Sequence, residues 1–350
     1  MNITWEQLSL FPDELPINQH SQDRKRLYFA SAPSAVSERL LESFHVSDIP
    51  FFGCDFDDIY PKLNKIIPGD TVLFAYTDIN TFIASEMVCA AICHQINWDY
   101  LRKAVFKKTL QQPKWLEAEA LSVISESEVT AMLADYNKPE RIRANQRTRL
   151  LQSIGMLASR HKGFMRLFLS ESGVLLSEEQ IRNNLLECIA FSEDPGEKKL
   201  QLLFQKLSNH PRLADMARFS KPAVDYHLVR CFLRRGLISP KTKLGVEFID
   251  SVEIQRHEST VGALRQLCGH LIQDISSYTG LSISAINQIE WHVGRSICTE
   301  KKPDCFLEYP DADWIRGEYS MCPFNTTCCA LNYNQKLLHI MEPNYIGTSY

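Results

Sequence analysis

No stretch of the 350-residue sequence approaches the roughly 20 consecutive apolar residues that a membrane-spanning helix needs. The opening, Met1–Asn2–Ile3–Thr4–Trp5–Glu6, lacks the basic start and apolar run of a secretory leader. The 11 cysteines are therefore expected in a reducing compartment, free or metal-bound rather than in disulfides, and a cytoplasmic, bacterial nucleoid-associated location is the expectation. Excess positive charge is also missing. The formal net charge is −4, so any nucleic-acid contact has to come from a local patch. No Gly-rich phosphate loop follows a strand-like segment, which argues against a nucleotide site of that kind. There is no internal repeat and no low-complexity tract. What is present, 45% hydrophobic and 23% charged residues over a length sufficient for two or three domains, is a globular composition with a sizeable core.

The cysteines are unevenly spread. Cys298, Cys305, Cys322 and Cys328 stand as C-x6-C-x16-C-x5-C, with Cys329 adjoining the last as a spare thiol or an alternative ligand. An apolar-periodic run, 286–297, reads as a helix delivering Cys298. Clustered thiolates suit a soft metal centre, iron–sulfur or zinc. Zinc usually takes tighter knuckles, so the wide gaps favour a cluster; the plain alternative is a set of buried or paired cysteines.

Residues 26–80 read as a small α/β domain after a tail at 1–25. Strands are expected at 26–30, 49–53 and 71–76, with helices at 36–44 and 59–67. From Thr81 on the pattern is helical: 83–96, 98–108, 126–135, 141–160, 178–191, 198–207, 224–235 and 261–275, each with an apolar stripe that forms core. The expected divisions are a helical domain at 81–297, a cysteine loop at 298–329 and a C-terminal tail at 330–350. Between Lys138 and Arg166 lie eight Lys/Arg residues and a single acid, Glu140. Arg141, Arg143, Arg147, Arg149, Arg160, Lys162 and Arg166 read as one basic stretch suited to phosphate contacts, joined by Lys301 and Lys302 inside the cysteine loop. A solvated helix face is the alternative.

Gln7–Leu8–Ser9–Leu10–Phe11 resembles, at all five positions, the peptide with which bacterial DNA-processing enzymes dock on the replicative sliding clamp. Leu10 and Phe11 would then be the apolar anchors and Gln7 the polar rim contact. The run Pro222–Ala223–Val224–Asp225–Tyr226–His227–Leu228–Val229–Arg230 resembles the Val-Asp-x-His-x-x-Arg segment of the helix–hairpin–helix DNA glycosylase superfamily. The outer cysteine spacings, six and five, match the [4Fe-4S] loop of its endonuclease III branch, while the middle gap is 16 rather than two. Trp291–His292–Val293–Gly294–Arg295 is similar to that branch's approach to its first cysteine. The segment 86–95, ending in Gln95, and the segment 132–163 resemble further parts of the same scaffold, so the likeness covers about 82–329. Glu193–Asp194–Pro195–Gly196–Glu197 stands where the family has Leu-Pro-Gly-Val-Gly. The helix that follows, from Lys198–Lys199, resembles the lysine helix of the archaeal 8-oxoguanine glycosylases.

This resemblance implies a mainly α, two-lobed helix–hairpin–helix glycosylase-like fold with a C-terminal [4Fe-4S] loop, acting on double-stranded DNA that carries a modified base. An oxidised purine is the first expectation. Asp225 would be the catalytic carboxylate, and Lys199, with Lys198 as its rival, the Schiff-base lysine that adds β-lyase activity. Gln95, Lys198, Arg141, Arg143, Lys301 and Lys302 would contact DNA, and Cys298, Cys305, Cys322 and Cys328 would ligate the cluster. Trp98, Trp291 and Phe191 are candidates for stacking on the displaced base, with core packing as their alternative, as it is for His227. A hydrolase of modified nucleosides, nucleotides or RNA bases, and a non-catalytic iron–sulfur DNA-binding module, are the competing readings.

Overall fold

Each apolar stripe in the sequence can leave water only by packing against another, and this makes the chain a set of helices. The structure, a computed structural model, describes residues 35–46, 53–68, 78–194, 196–250, 258–308, 310–333 and 335–340. In chain order they form α1 (Ala35–Glu42), β1 (Phe44–Val46), α2 (Gly53–Ile66), α3 (Ile79–Ile92), α4 (Trp98–Gln111), α5 (Ala118–Ser122), α6 (Glu126–Met132), α7 (Ala144–Arg160), α8 (Glu178–Leu186), α9 (Ile189–Ser192) and α10 (Lys198–Leu207). Then follow α11 (Tyr226–Arg235), β2 (Ile238–Pro240), α12 (Lys243–Asp250), α13 (Glu258–Thr279), α14 (Ile283–Ser296) and α15 (Cys329–Asn332). The described residues are thus mainly helical. None of their helices is long and apolar enough to cross a membrane.

Local chemistry sets the helix ends. Asp78 accepts from the backbone N–H groups of Asn80 and Thr81, so α3 starts earlier than its apolar run. Ser125 with Glu128, and Ser177 with Gln180, close capping boxes at α6 and α8. The helix expected over 178–191 breaks at Cys188 because Ser153 on α7 accepts the Ile189 N–H (3.1 Å), which lets a new helix, α9, begin there.

Two compact units result, one of residues 1–69 with 221–346 and the other of 70–220 with 347–350. The division differs from the expected separate domain at 26–80. Its described helices, α1 and α2, belong with the C-terminal half. The expected strands at 26–30 and 71–76 lie outside the described residues, and Gly53, expected to end a strand, opens α2. Gln7, Leu8, Ser9, Leu10 and Phe11 also lie outside them.

The central unit is organised on α3, which is buried continuously from Phe82 to Ile92 and packs against α4, α7 and α10. Such a helix has no solvated face, so its one carboxylate needs a partner: Glu86 receives a two-pronged Arg102 (2.8 and 3.2 Å). Against α7, α5 approaches so closely that a Cβ on Gly155 would lie 2.2 Å from the Ser122 nitrogen.

In the other unit β1 pairs antiparallel with β2, Phe44 opposite Pro240, joining the chain's early segment to the end of α11. Helices α11 and α14 meet at Gly294, where a Cβ would lie 2.8 Å from the His227 Cβ and 2.9 Å from its carbonyl oxygen. Gly294→Ala is therefore expected to cost about 1–3 kcal/mol by overpacking, read as a lower denaturation midpoint; an unchanged midpoint would show that the helices part freely. Beneath this contact Glu290 accepts from Tyr60 and from Arg235, all three buried. Arg235 also lies over the ring of Phe324 at 4.1 Å. Phe324 belongs to the cysteine loop, so α2, α11 and α14 together hold that loop's apolar side.

Candidate functional site

Lys199 is the second residue of α10, after a turn in which Glu197 takes a left-handed conformation (φ 52°) and pairs with Arg182. Asp194 accepts the Lys199 backbone N–H at 2.6 Å, fixing the start of the helix. The stripe Leu200, Leu203, Phe204 and Leu207 is buried, and Lys199 itself is only 2% exposed. No described residue forms a hydrogen bond or ion pair with its ammonium group. Burial lowers its pKa from the ordinary 10.5, although the Cys93 thiol and the Asp194 carboxylate act in the opposite direction. The shift moves the amine toward its neutral form, the nucleophilic form of lysine, without removing its charge at every pH.

Beside it stands His94. Helix α3 ends at Ile92, and Gln95 follows in a left-handed conformation (φ 56°), a costly backbone state for a non-glycine residue. Arg147, fully buried on α7, holds this corner. Its guanidinium donates to the carbonyls of Ile92, His94, Arg141 and Ile142, tying the end of α3 to the segment before α7. The His94 ring is 1% exposed, and neither of its nitrogens has a partner among the described residues. Leaving each such group unmet costs about 1–3 kcal/mol. Burial first, then the positive charges of Arg147, Lys199, Arg143 and Lys198, push its pKa down to about 2. The imidazole is therefore neutral throughout the physiological range.

The structure thus brings Lys199, Lys198 and Arg143 around His94, next to Gln95. The basic stretch from Lys138 to Arg166 does not remain one phosphate-facing surface. Arg147 is buried, Arg160 pairs with Glu187 (3.4 Å), and Arg166 donates to the Ser170 carbonyl (2.6 Å). Arg141 is exposed beside Glu140, and Arg149 is exposed. Phe191 is core, 1% exposed, which removes it from the stacking candidates; Trp98 and Trp291 are half-buried.

In the other unit Asp225 caps α11, accepting the His227 N–H at 2.9 Å, and is 5% exposed. Asn287 on α14 grips both backbone polar groups of Ala223 (2.8 and 3.3 Å), which sets the approach to Asp225. A carboxylate at a helix N-terminus is favoured in its ionised form by the backbone dipole. His227 turns its Nδ1 to Arg230 (2.9 Å), a structural role.

The same helix α11 supports the cysteine loop. Arg234, fully buried, donates to the carbonyls of Ile340, Thr299 and Glu300 and reaches the Cys298 sulfur at 3.6 Å. Arg230 donates to the carbonyls of Cys298 and Gly294. The long middle gap closes on itself: the Cys322 N–H donates to the Cys305 carbonyl at 2.8 Å, so the inserted residues leave and return at one point. Within the excursion Trp314 donates to Ser296 (2.8 Å), and Ala312 and Ile315 are buried. A hydrogen bond from Cys231, opposed by burial and assisted by Arg234 and Arg230, brings Cys298 down to about 5. Burial raises Cys305 to about 11, and raises Cys322 and Cys328 as well, with the neighbouring thiols adding to each shift. The four thiols are thus near enough to act on one another. No three His, Cys, Asp or Glu side chains among the described residues are grouped to hold a single metal ion. An all-thiol donor set with two buried guanidiniums beside Cys298 is of the kind an iron–sulfur cluster would take, its thiolates binding separate irons and its negative charge balanced by such guanidiniums. Lys301 and Lys302 are exposed on the loop's surface.

Sequence reasoning passed over His94, Asp194, Cys231 and Arg234. His94 carried a usable clue, a polar residue just past the end of a strongly apolar helix, but nothing local announced that its ring would be buried without partners among the described residues. No protein-family model matches the chain, and no curated protein matches it.

Proposed function

We propose that this protein is a DNA N-glycosylase with an associated lyase step, in which Lys199 is the nucleophile and Asp225 the carboxylate. The observation that carries the reading is Lys199 itself: a nine-tenths buried lysine without a hydrogen-bond or ion-pair partner among the described residues, its pKa lowered by burial. Such a group destabilises a fold, and chemistry is the usual reason for keeping it. In the reaction the Lys199 amine would form a bond to the sugar C1′ as the bond to the base breaks. The base departs with a proton, and the sugar ring opens to a Schiff base on the lysine. Asp225 would stabilise the positive charge that develops on the sugar.

Cys298, Cys305, Cys322 and Cys328 would hold a [4Fe-4S] cluster. Fully ligated by thiolates, such a cluster supplies a folded loop rather than an open site for substrate, and would present Lys301 and Lys302 to phosphates. Purified protein is expected to carry iron and sulfide in equal amounts, and Cys322→Ser to lose both; zinc in their place would break the link to the endonuclease III branch.

The deciding experiment is product analysis on a panel of duplexes each carrying one modified base, oxidised purines first, combined with borohydride trapping on abasic DNA. Free base and a covalent adduct are expected. The breaking up of the basic stretch favours one second reading, a hydrolase of free modified nucleotides, which needs less phosphate-facing surface than a duplex does. Faster turnover of free nucleotide than of duplex would decide for it, and binding without any turnover would leave a non-catalytic DNA-binding module.

A further inference from the structure

We infer that His94 is the residue through which the Lys199 site recognises the base to be removed, an inference that rests on the glycosylase reading above. The observations are geometric. Helices α3 and α10 pack together, and His94, just past the end of α3, is within electrostatic reach of Lys199 at the start of α10. Arg147 fixes the His94 backbone carbonyl, so a buried clamp sets where the residue sits while its ring makes no hydrogen bond of its own among the described residues. Both ring nitrogens are buried and unpartnered among the described residues. A side chain that had only to fill space there would be apolar; an imidazole kept waiting without partners is suited to one that arrives with a ligand.

The charge around the ring selects the kind of ligand. With Arg147, Lys199, Arg143 and Lys198 nearby the imidazole stays neutral, down to about pH 2, so it cannot deliver a proton to a leaving group at working pH. It offers one N–H donor and one acceptor nitrogen. A phosphate has no N–H to give that acceptor, and the surrounding cations already suit a phosphate without it. A nucleobase offers both kinds of group: a ring N–H or exocyclic amine to the acceptor nitrogen, and a carbonyl or ring nitrogen to the donor. The class of ligand is therefore an extruded base with donor and acceptor on its edge, and the lysine beside it acts on the attached sugar.

The test uses the full-length protein in two assays. Borohydride trapping on an abasic duplex needs Lys199 but no base; single-turnover release from a base-bearing duplex needs both. His94→Leu is expected to slow base release by about 100-fold or more, as sites lose affinity when a recognising hydrogen bond is removed, while trapping stays within about threefold of wild type. His94→Gln, which retains a donor and an acceptor, is expected to recover part of the lost release. Undiminished release by His94→Leu overturns the inference. So does a parallel fall in trapping, which would mean that His94 only packs beside Lys199, or a His94→Gln variant as slow as His94→Leu. Wild type that forms adducts on abasic DNA but frees no base from any duplex overturns base recognition and leaves the lysine chemistry standing. Wild type that does neither removes the glycosylase reading, and this inference with it.

Discussion

Lys199→Met is expected to abolish borohydride trapping and, in the same protein, to raise the thermal midpoint. The two effects share one cause. Lys199 is 2% exposed and its ammonium has no partner among the described residues, so the folded state carries a desolvation cost that methionine, of similar length, would not. A gain of about 1 kcal/mol or more in stability is expected, together with a loss of about 10³-fold or more in trapping. The wild-type pH dependence follows from the same shift. The folded pKa lies below the unfolded 10.5, so between the two values the unfolded chain binds more protons, and stability rises with pH. Lys199→Met should flatten that rise. Trapping by wild type should climb with pH as the amine loses its proton and level off below 10.5. A variant that is less stable than wild type, or one that still traps, would show that Lys199 is an ordinary packed lysine.

Glu290→Gln is expected to cost about 3–5 kcal/mol, the usual penalty for leaving a buried charge without its partner. Glu290 is 0% exposed and accepts from both Arg235 and Tyr60, so an amide of the same shape creates no cavity but strands the guanidinium. Because Arg235 lies over Phe324, between Cys322 and Cys328, the damage should reach the cysteine loop and appear as faster labelling of the four thiols by a maleimide. Adding Arg235→Met should return much of the stability, since it removes the guanidinium that the amide leaves stranded. A loss confined to a few tenths of a kcal/mol would show that water reaches the triad. The alkaline limb has a definite sign. Burial first, then the Glu290 charge, holds the Tyr60 pKa well above 10.0, so the unfolded chain gives up its proton first and stability falls as pH rises past that value. Tyr60→Phe should remove that part of the alkaline loss.

The legible parts of the fold were those with a local cause. The helix at 198–207 was readable from its apolar stripe, and it runs over those same residues. Helix α11 starts two residues later than the stripe suggested, because Asp225 caps it rather than joining it. The break at Cys188 was not readable, because the hydroxyl that causes it comes from Ser153, distant in sequence. Nor was the pairing of β1 with β2, whose three-residue strands are too short for a period-two pattern to register. The candidate site divides in the same way. Spacing singled out the four cysteines, and the resemblance to helix–hairpin–helix glycosylases singled out Lys199 and Asp225. The basic stretch misled because arginine counts as surface in a sequence, and only packing reveals that Arg147 is spent on four backbone carbonyls.

By itself the sequence determined that the described residues are mainly helical and that four cysteines stand in one segment, since both depend on neighbours along the chain. Tertiary structure alone decided three things. The 16-residue excursion closes so that Cys305 and Cys322 meet, His94 is buried with both nitrogens unmatched among the described residues, and Lys199 is buried. Each is a matter of what surrounds a group after distant segments have packed. Desolvation, which lowers the lysine pKa and keeps the imidazole neutral, has no signature in the order of residues.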